Sequence, residues 1–193
     1  MMGSGNLTEL SHADTTGLTL LLMGIASELK INHILTTQVS DHCQTVIKET
    51  DIARRILHAS CMSNMTPKHI SNDLLTTHED KPFKFSYDEV LELSKDIKDP
   101  SYRIMVTDKG IHVFNRDGFE TAKDPFDFFK NLNVDNDTGH AFYLGVELAR
   151  AQIAYQLGKF YSQDEELSWG CLVEKEEDDK MSFKTAGPTY KKK

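Results

Sequence analysis

The chain has 193 residues, 39% of them hydrophobic and 27% charged, with a net charge of −8. This balance fits one soluble domain or two small ones, and the acidity excludes a general nucleic-acid binder, which shows a basic face. The longest apolar run, Leu18–Ala26, is too short to span a bilayer and has no basic stretch before it; three widely spaced cysteines without a CxxC pair point to a reduced, cytoplasmic setting.

From the N-terminus the pattern predicts strand, helix, strand, helix. Residues 6–10 form the first expected strand, after the Gly-Ser-Gly start. Leu18, Leu21, Leu22, Ile25 and Leu29 fall on one helical face, and Asp14 or Thr15 suits the N-cap. Asn32–Thr37 reads as a short buried strand. Ser40 and Asp41 then open a second helix carrying Val46, Ile47, Ile52, Ala53, Ile56 and Leu57, with a break expected at Thr50-Asp51.

A βαβα order builds parallel sheet, and ligands of such sheets sit at the carboxyl ends of the strands. Glu9, Ser11, His12 and Asp14 gather after the first strand, and Thr36, Thr37, Gln38, Ser40, Asp41 and His42 after the second. Ordinary loop polarity and helix capping account for these residues equally well.

Residues 63–85 read as a linker with one short helix, started by Thr66-Pro67 and carrying Ile70, Leu74 and Leu75. A second region, 86–173, has a different order. Ser86 to Glu89 is a capping box, and the helix it opens ends before Asp99-Pro100. Tyr102–Thr107 and Gly110–Asn115 predict an antiparallel hairpin, with a third short strand at Glu120–Ala122. Asp124-Pro125 starts a short Phe-rich helix. Asp135–Gly139 resembles a calcium loop only in composition. The longest helix is expected from His140 to about Tyr161, with Phe142, Val146, Ala149, Ile153 and Leu157 along one side, Tyr143, Leu144, Leu148, Ala151 and Tyr155 extending it so that the helix is apolar around much of its circumference, and Glu147 able to pair with Arg150. Ser168–Leu172 reads as a last strand or extended segment, and residues 174–193 as a charged tail.

Several of these stretches carry a resemblance. Gly5-Asn6-Leu7-Thr8-Glu9-Leu10, Ala13-Asp14-Thr15-Thr16-Gly17, Leu35-Thr36-Thr37-Gln38-Val39-Ser40 and Asp51-Ile52-Ala53-Arg54-Arg55 resemble the end of a dihydropteroate-synthase-like family found with tetrahydromethanopterin biosynthesis. Gly139 to Ala151, with Tyr161 to Asp164, resembles a small C-terminal domain of unknown function carried by the same proteins. The resemblance implies a fold of class α/β plus α+β. Residues 1–62 would be the last βα units of a (β/α)8 pterin-binding barrel, and 86–173 a hairpin-plus-helices domain. A whole barrel takes roughly 250 residues, so the expectation is a fragment of a longer protein or one half of a split one.

The resemblance further implies a reduced pterin as substrate, with no resident cofactor and no metal, bound by Asn6, Thr8, Glu9, Asp14, Thr36, Thr37 and Gln38. An asparagine amide offers both donor and acceptor to a pterin edge. The chain departs from true dihydropteroate synthases at one point. Their late strands carry Ser-Arg-Lys and Arg-x-His segments, where this chain has Asn-Leu-Thr-Glu and Leu-Thr-Thr-Gln. Ordinary folate synthesis is therefore not expected. Two readings follow: a pterin-handling transferase or part of one, and a non-catalytic binding or assembly subunit using the C-terminal domain. Two parallel strands do not close a barrel, so self-association or a partner supplying the remaining barrel is expected, with neither nucleic acid nor membrane as partner. His58 and Cys61, three apart on a helix, are too few to hold zinc.

Overall fold

A computed structural model describes residues 1–134 and 137–173. The loop residues Asp135 and Asn136 and the 174–193 tail lie outside the described residues. The chain divides into two units. One holds Met1–Thr76 and the segment that begins at Trp169; the other holds Thr77–Ser168. Together they contain a small parallel pair of strands, a three-stranded antiparallel sheet, and helices.

In the first unit, β1 (Met2–Gly3) pairs parallel with β2 (Ile34–Leu35), Met2 opposite Ile34 and Gly3 opposite Leu35. Between them run α1 (Gly5–Leu10) and α2 (Thr15–Glu28). Residues 6–10 are therefore helical, not the predicted strand. The chain leaves β1 at Ser4, whose carbonyl accepts from the Leu7 and Thr8 amides, 3.0 and 3.2 Å. Six residues show too little periodicity to separate a helical turn from a strand. The second strand is likewise shorter than 32–37. After it come a 3-10 turn at Asp41–Cys43 and α3 (Val46–Ser63). The helix runs unbroken through Thr50-Asp51, where the Thr50 hydroxyl donates to the Val46 carbonyl at 2.7 Å. Arg54 and Arg55 both pair with Asp51 on its exposed side.

Helices α2 and α3 pack through an unusual face. The buried residues of α2 are Thr15, Thr16, Thr19, Met23 and Ala26, and those of α3 are Val46, Glu49, Ala53, Ile56 and Ser60. Glu49 is fully buried. Its Oε1 accepts from the hydroxyls of Thr15 at 2.8 Å and Thr45 at 2.7 Å, and its Oε2 from Thr19 at 3.3 Å. A buried carboxylate is tolerated only when its oxygens are hydrogen-bonded. The threonine face of α2 therefore turns inward. The predicted apolar face turns the other way: Leu21 is 61% exposed, Ile25 44% and Leu29 66%.

Residues 66–75 form turns instead of the predicted short helix. The second unit opens with α4 (Tyr87–Asp96), whose capping box is formed as the sequence predicts. Glu89 accepts from the Ser86 amide, which lowers its carboxyl pKa. The sheet follows: β3 (Arg103–Thr107), β4 (Gly110–Asn115) and β5 (Gly118–Ala122), antiparallel in chain order with β4 central. Every residue of β4 is buried. On one face Ile104, Val106, Ile111 and Val113 form a core with Leu144, Leu148, Ala151 and Ala154 of α5 (Thr138–Leu157). On the other, Tyr87 of α4 meets His112 and Phe119 edge-on, and Phe119 stacks on His112 and Phe114.

α5 ends at Leu157, where Gly158 takes the left-handed C-cap conformation with φ 61°. Of its apolar surface, Leu144, Leu148 and Ala151 turn inward, while Phe142, Val146 and Ile153 are exposed. Glu147 sits inside too. It accepts from Tyr161 Oη and Arg150 Nη1, each at 2.8 Å, and from the Asp164 amide at 3.2 Å. Burial, and then this bond to Glu147, push the Tyr161 phenol far up. Ser168–Leu172 leads into a 3-10 turn at Gly170–Leu172 rather than a strand.

His112 is buried between strands, with Nε2 2.8 Å from the Thr107 hydroxyl and Nδ1 2.8 Å from that of Thr121. Burial lowers its pKa from 6.5 to about 4. The unfolded chain then binds the extra proton between those two values, so stability rises with pH across that window and falls as pH drops through it. The expected loss from pH 6.5 to 4 is at most about 3 kcal/mol from this residue. Denaturant unfolding of wild type and His112→Gln at pH 7 and pH 4 checks it: the difference between the two pH values should shrink in the variant, and an unchanged difference would assign the pH dependence elsewhere.

Candidate functional site

The candidate residues divide into two groups. Asn6, Thr8 and Glu9 lie on α1, and Asp14 is the N-cap of α2; all follow the carboxyl end of β1. Thr36, Thr37 and Gln38 follow the carboxyl end of β2. Because β1 and β2 are parallel and in register, both groups stand at the same end of the strand pair.

Three of the seven side chains are engaged within the protein. The Thr8 hydroxyl is buried and donates to the Gly5 carbonyl at 3.2 Å. The Thr8 carbonyl accepts from His42 Nε2 at 3.1 Å and Cys43 Sγ at 3.2 Å. His42 Nε2 also lies 3.0 Å from the Ser11 carbonyl. With carbonyls on both sides, this nitrogen carries the proton. Glu9 clasps the opposite loop: Oε1 accepts from the Val39 amide at 2.8 Å and Oε2 from the Ser40 amide at 2.9 Å. These bonds, Ser40 first among them and Thr37 adding a smaller contribution, hold the Glu9 carboxyl down to about 2.

Thr37 closes the approach to α1. A Cβ added at Gly5 would lie 2.4 Å from Thr37 Oγ1 and 3.0 Å from its amide. Only glycine permits this contact.

The remaining groups are available. Asn6, Asp14 and Gln38 are exposed, and Asp14 makes no side-chain cap bond. Thr36 Oγ1 is buried without a hydrogen-bond partner among the described residues, and an unpaired buried hydroxyl is costly. The set offers neutral donors and acceptors plus one carboxylate and no cation. It suits a polar heterocycle better than a diphosphate.

Glu49 and its threonines were not predicted from the sequence. The only signal was Thr15 and Thr19 spaced i, i+4, with Thr45 and Glu49 spaced the same way. Nor were the roles of His42 and Cys43 as locks on Thr8. Burial raises the Cys43 thiol pKa, which keeps it protonated and unreactive. All three cysteines are free thiols. Among the described residues, no group of three or more His, Cys, Asp or Glu side chains is placed to hold a metal, and no helix is long and apolar enough to cross a membrane.

The chain is similar to a Methanocaldococcus jannaschii protein described only as uncharacterized, 31% identical over an alignment of 186 positions that covers 86% of this chain and 35% of that protein. It thus spans about a third of its relative's length. No family model matches the chain, and no solved structure matches it.

The Glu9 clasp predicts a local effect. Glu9→Gln replaces two charge-assisted acceptors with one neutral carbonyl, so the Val39 and Ser40 amides should exchange with solvent faster while amides inside α3 keep their rates. Hydrogen exchange followed by NMR reads this directly. Unchanged rates at Val39 and Ser40 would show that the loop is held by other contacts. In wild type the same loosening should appear only as pH falls toward 2, since a depressed carboxyl stays ionised until then.

Proposed function

We propose that this chain is part of a dihydropteroate-synthase-like protein that handles a reduced pterin, in the biosynthesis of a tetrahydromethanopterin-type one-carbon carrier. The observation that carries this reading is the convergence of Asn6, Asp14, Thr36 and Gln38 at the carboxyl ends of two parallel strands, with the Thr36 hydroxyl unpaired. The motif resemblance supports it independently. Asn6 and Gln38 would read donors and acceptors on the pterin edge, Thr36 would complete its hydrogen bonding there, and Thr8, Glu9 and Thr37 would hold the walls. None of these seven residues carries a positive charge for a departing diphosphate, which such a transfer needs. A transferase would therefore draw that group from outside this set.

The test is calorimetry with a reduced pterin on the protein at its relative's full extent. Asn6→Ala should weaken binding by about 1–3 kcal/mol, the cost of leaving a buried polar partner unpaired. Equal affinity would remove Asn6 from the site. Failure of the complete protein to bind any reduced pterin would put the binding or assembly reading ahead.

The exposed stripe of α2 favours a companion proposal about assembly. Leu21, Ile25 and Leu29, with Leu20 and the bare backbone of Gly17 and Gly24, border an apolar hollow on the side of α2 away from its buried face. Contiguous exposed apolar surface marks contact with another chain or segment. We propose that a second copy, or polypeptide supplying further βα units, covers it. Light scattering over a wide concentration range should show association that Leu21→Glu weakens. A monomer at every concentration would exclude self-association and leave the supplying polypeptide.

A further inference from the structure

Among the described residues, the second unit has an open sheet edge that no element covers fully. There β3 pairs with β4 alone, so one side of β3 is an edge. The alternation of an antiparallel ladder turns the main-chain groups of Tyr102, Ile104 and Val106 to that side. The Ile104 amide shows this directly, because it donates to a side chain, Gln163 Oε1, at 2.9 Å.

Gln163 takes the place of a strand at one rung. Its Oε1 accepts from the Ile104 N–H, and its Nε2 donates to the Tyr102 carbonyl at 3.2 Å. One side-chain amide thus reproduces the donor and acceptor pair that a neighbouring strand would present. The Tyr143 hydroxyl, 2.9 Å from Nε2, fixes its orientation. The next rung outward is the Ile104 carbonyl and the Val106 N–H, and among the described residues no protein group takes it.

A cavity of about 350 Å³ lies against that rung. Its lining includes four consecutive residues of β3, Arg103 to Val106. A cavity on a sheet face would touch alternate residues only, so this one runs along the edge. Phe85, Leu93 and Phe160 form its half-open apolar mouth. Among the described residues, the charged ones in the lining are Lys84 and Arg103, both cationic in a chain of net charge −8. Arg103 is paired with Asp99 at 2.9 Å. Lys84 is exposed and makes no ion pair among the described residues, its Nζ lying 5.7 Å from the Phe85 ring centre.

We propose that this edge is a docking site for an extended peptide segment, which continues the sheet from the rung that Gln163 begins, places one apolar side chain among Phe85, Leu93 and Phe160, and sets an acidic residue against Lys84. Main-chain pairing supplies the affinity and the pocket supplies the selection, the usual division in strand addition. An anionic amphiphile of small size would use the same walls and cation but not the strand edge. That difference decides the experiment.

The probe is an acetylated, amidated hexapeptide of sequence TVEFEV, titrated into the whole chain and followed by NMR. Its twin is N-methylated at alternate residues, so that it lacks the donors for one edge. Binding of the plain peptide should slow exchange of the Val106 amide. Both N-methylation and the Lys84→Glu variant, an exposed position that leaves the core intact, should weaken binding by about tenfold or more. Equal binding by the N-methylated twin, or an unchanged Val106 amide, would overturn strand addition, and tight binding of 2-naphthoate beside it would mark a small-anion pocket instead. No binding of the plain peptide up to millimolar concentration would also overturn the proposal. None of these outcomes bears on the pterin reading, which concerns the other unit.

Discussion

The first unit depends on one buried charge. Glu49 has no exposed surface, and the bonds it accepts there come from three threonine hydroxyls. Stripping a carboxylate of water costs several kcal/mol unless other donors replace it, so α2 must present Thr15 and Thr19 to α3 and cannot rotate to bury its leucines. Two consequences follow from that one constraint. The apolar stripe of α2 is left facing outward, available to another polypeptide. The N-terminus of α2 is also fixed, because Thr15 is both a Glu49 donor and the first helical residue after Asp14. The candidate site therefore takes its register from an interaction buried beneath it.

The second unit is built differently, around a strand rather than a charge. β4 is covered on both faces, by the apolar side of α5 and by the aromatic set around Tyr87. The buried polar side chains of this core are hydrogen-bonded among the described residues. His112 has a threonine on each nitrogen, and Glu147 gathers Tyr161, Arg150 and the Asp164 amide. The Glu147 hub has a mechanical effect: it holds the segment after α5 at Tyr161 and Asp164. That segment also carries Gln163, so a buried carboxylate sets how far the amide reaches along the β3 edge. Networks of this kind fix geometry more than they add stability.

Local chemistry was legible in the sequence wherever a few adjacent residues decide the outcome. The Ser86–Glu89 capping box, the stop before Asp99-Pro100, the hairpin across Asp108-Lys109 and the start at Asp124-Pro125 depend on neighbours within four positions, and all formed. Helix positions for α2, α3 and α5 followed from periodicity, as did the Val46, Ala53 and Ile56 side of α3, but the inward turn of the α2 threonines and of Glu147 on α5 did not. Apolar spacing shows that a helix has two sides. It does not show which side turns inward when a buried glutamate reverses the preference. The turns at 66–75 and the helix at 5–10 failed for a simpler reason: each is too short for the pattern to exceed chance. At the candidate site, the parallel βαβ order was legible but its first strand was not: residues 6–10 read as a strand and are helix α1, so Asn6, Thr8 and Glu9 follow a strand at Met2–Gly3. The division of labour within the site was not legible either, because Glu9 finds its donors thirty residues away on the backbone of Val39 and Ser40, and backbone amides leave no trace in residue type.

That division of labour bears on what the site asks of a ligand. Glu9 pins the 36–40 loop to α1, Gly5 lets Thr37 seat against the helix, and His42 with Cys43 locks the Thr8 carbonyl. The walls are thus set before anything binds, and the ordering entropy that a mobile loop would cost on association is already spent in folding. What stays uncommitted is small and mostly neutral: an amide at Asn6, another at Gln38, a hydroxyl at Thr36 and one carboxylate at Asp14. A rigid frame with neutral donors and acceptors discriminates by the pattern of hydrogen bonds on a flat edge, since a mismatch leaves a buried group unpaired on one side or the other. It holds an anion poorly, because the one charge it offers has the wrong sign. On the proposed reading, recognition of the heterocycle and stabilisation of a leaving group would be separable tasks, and these residues carry groups suited to the first alone.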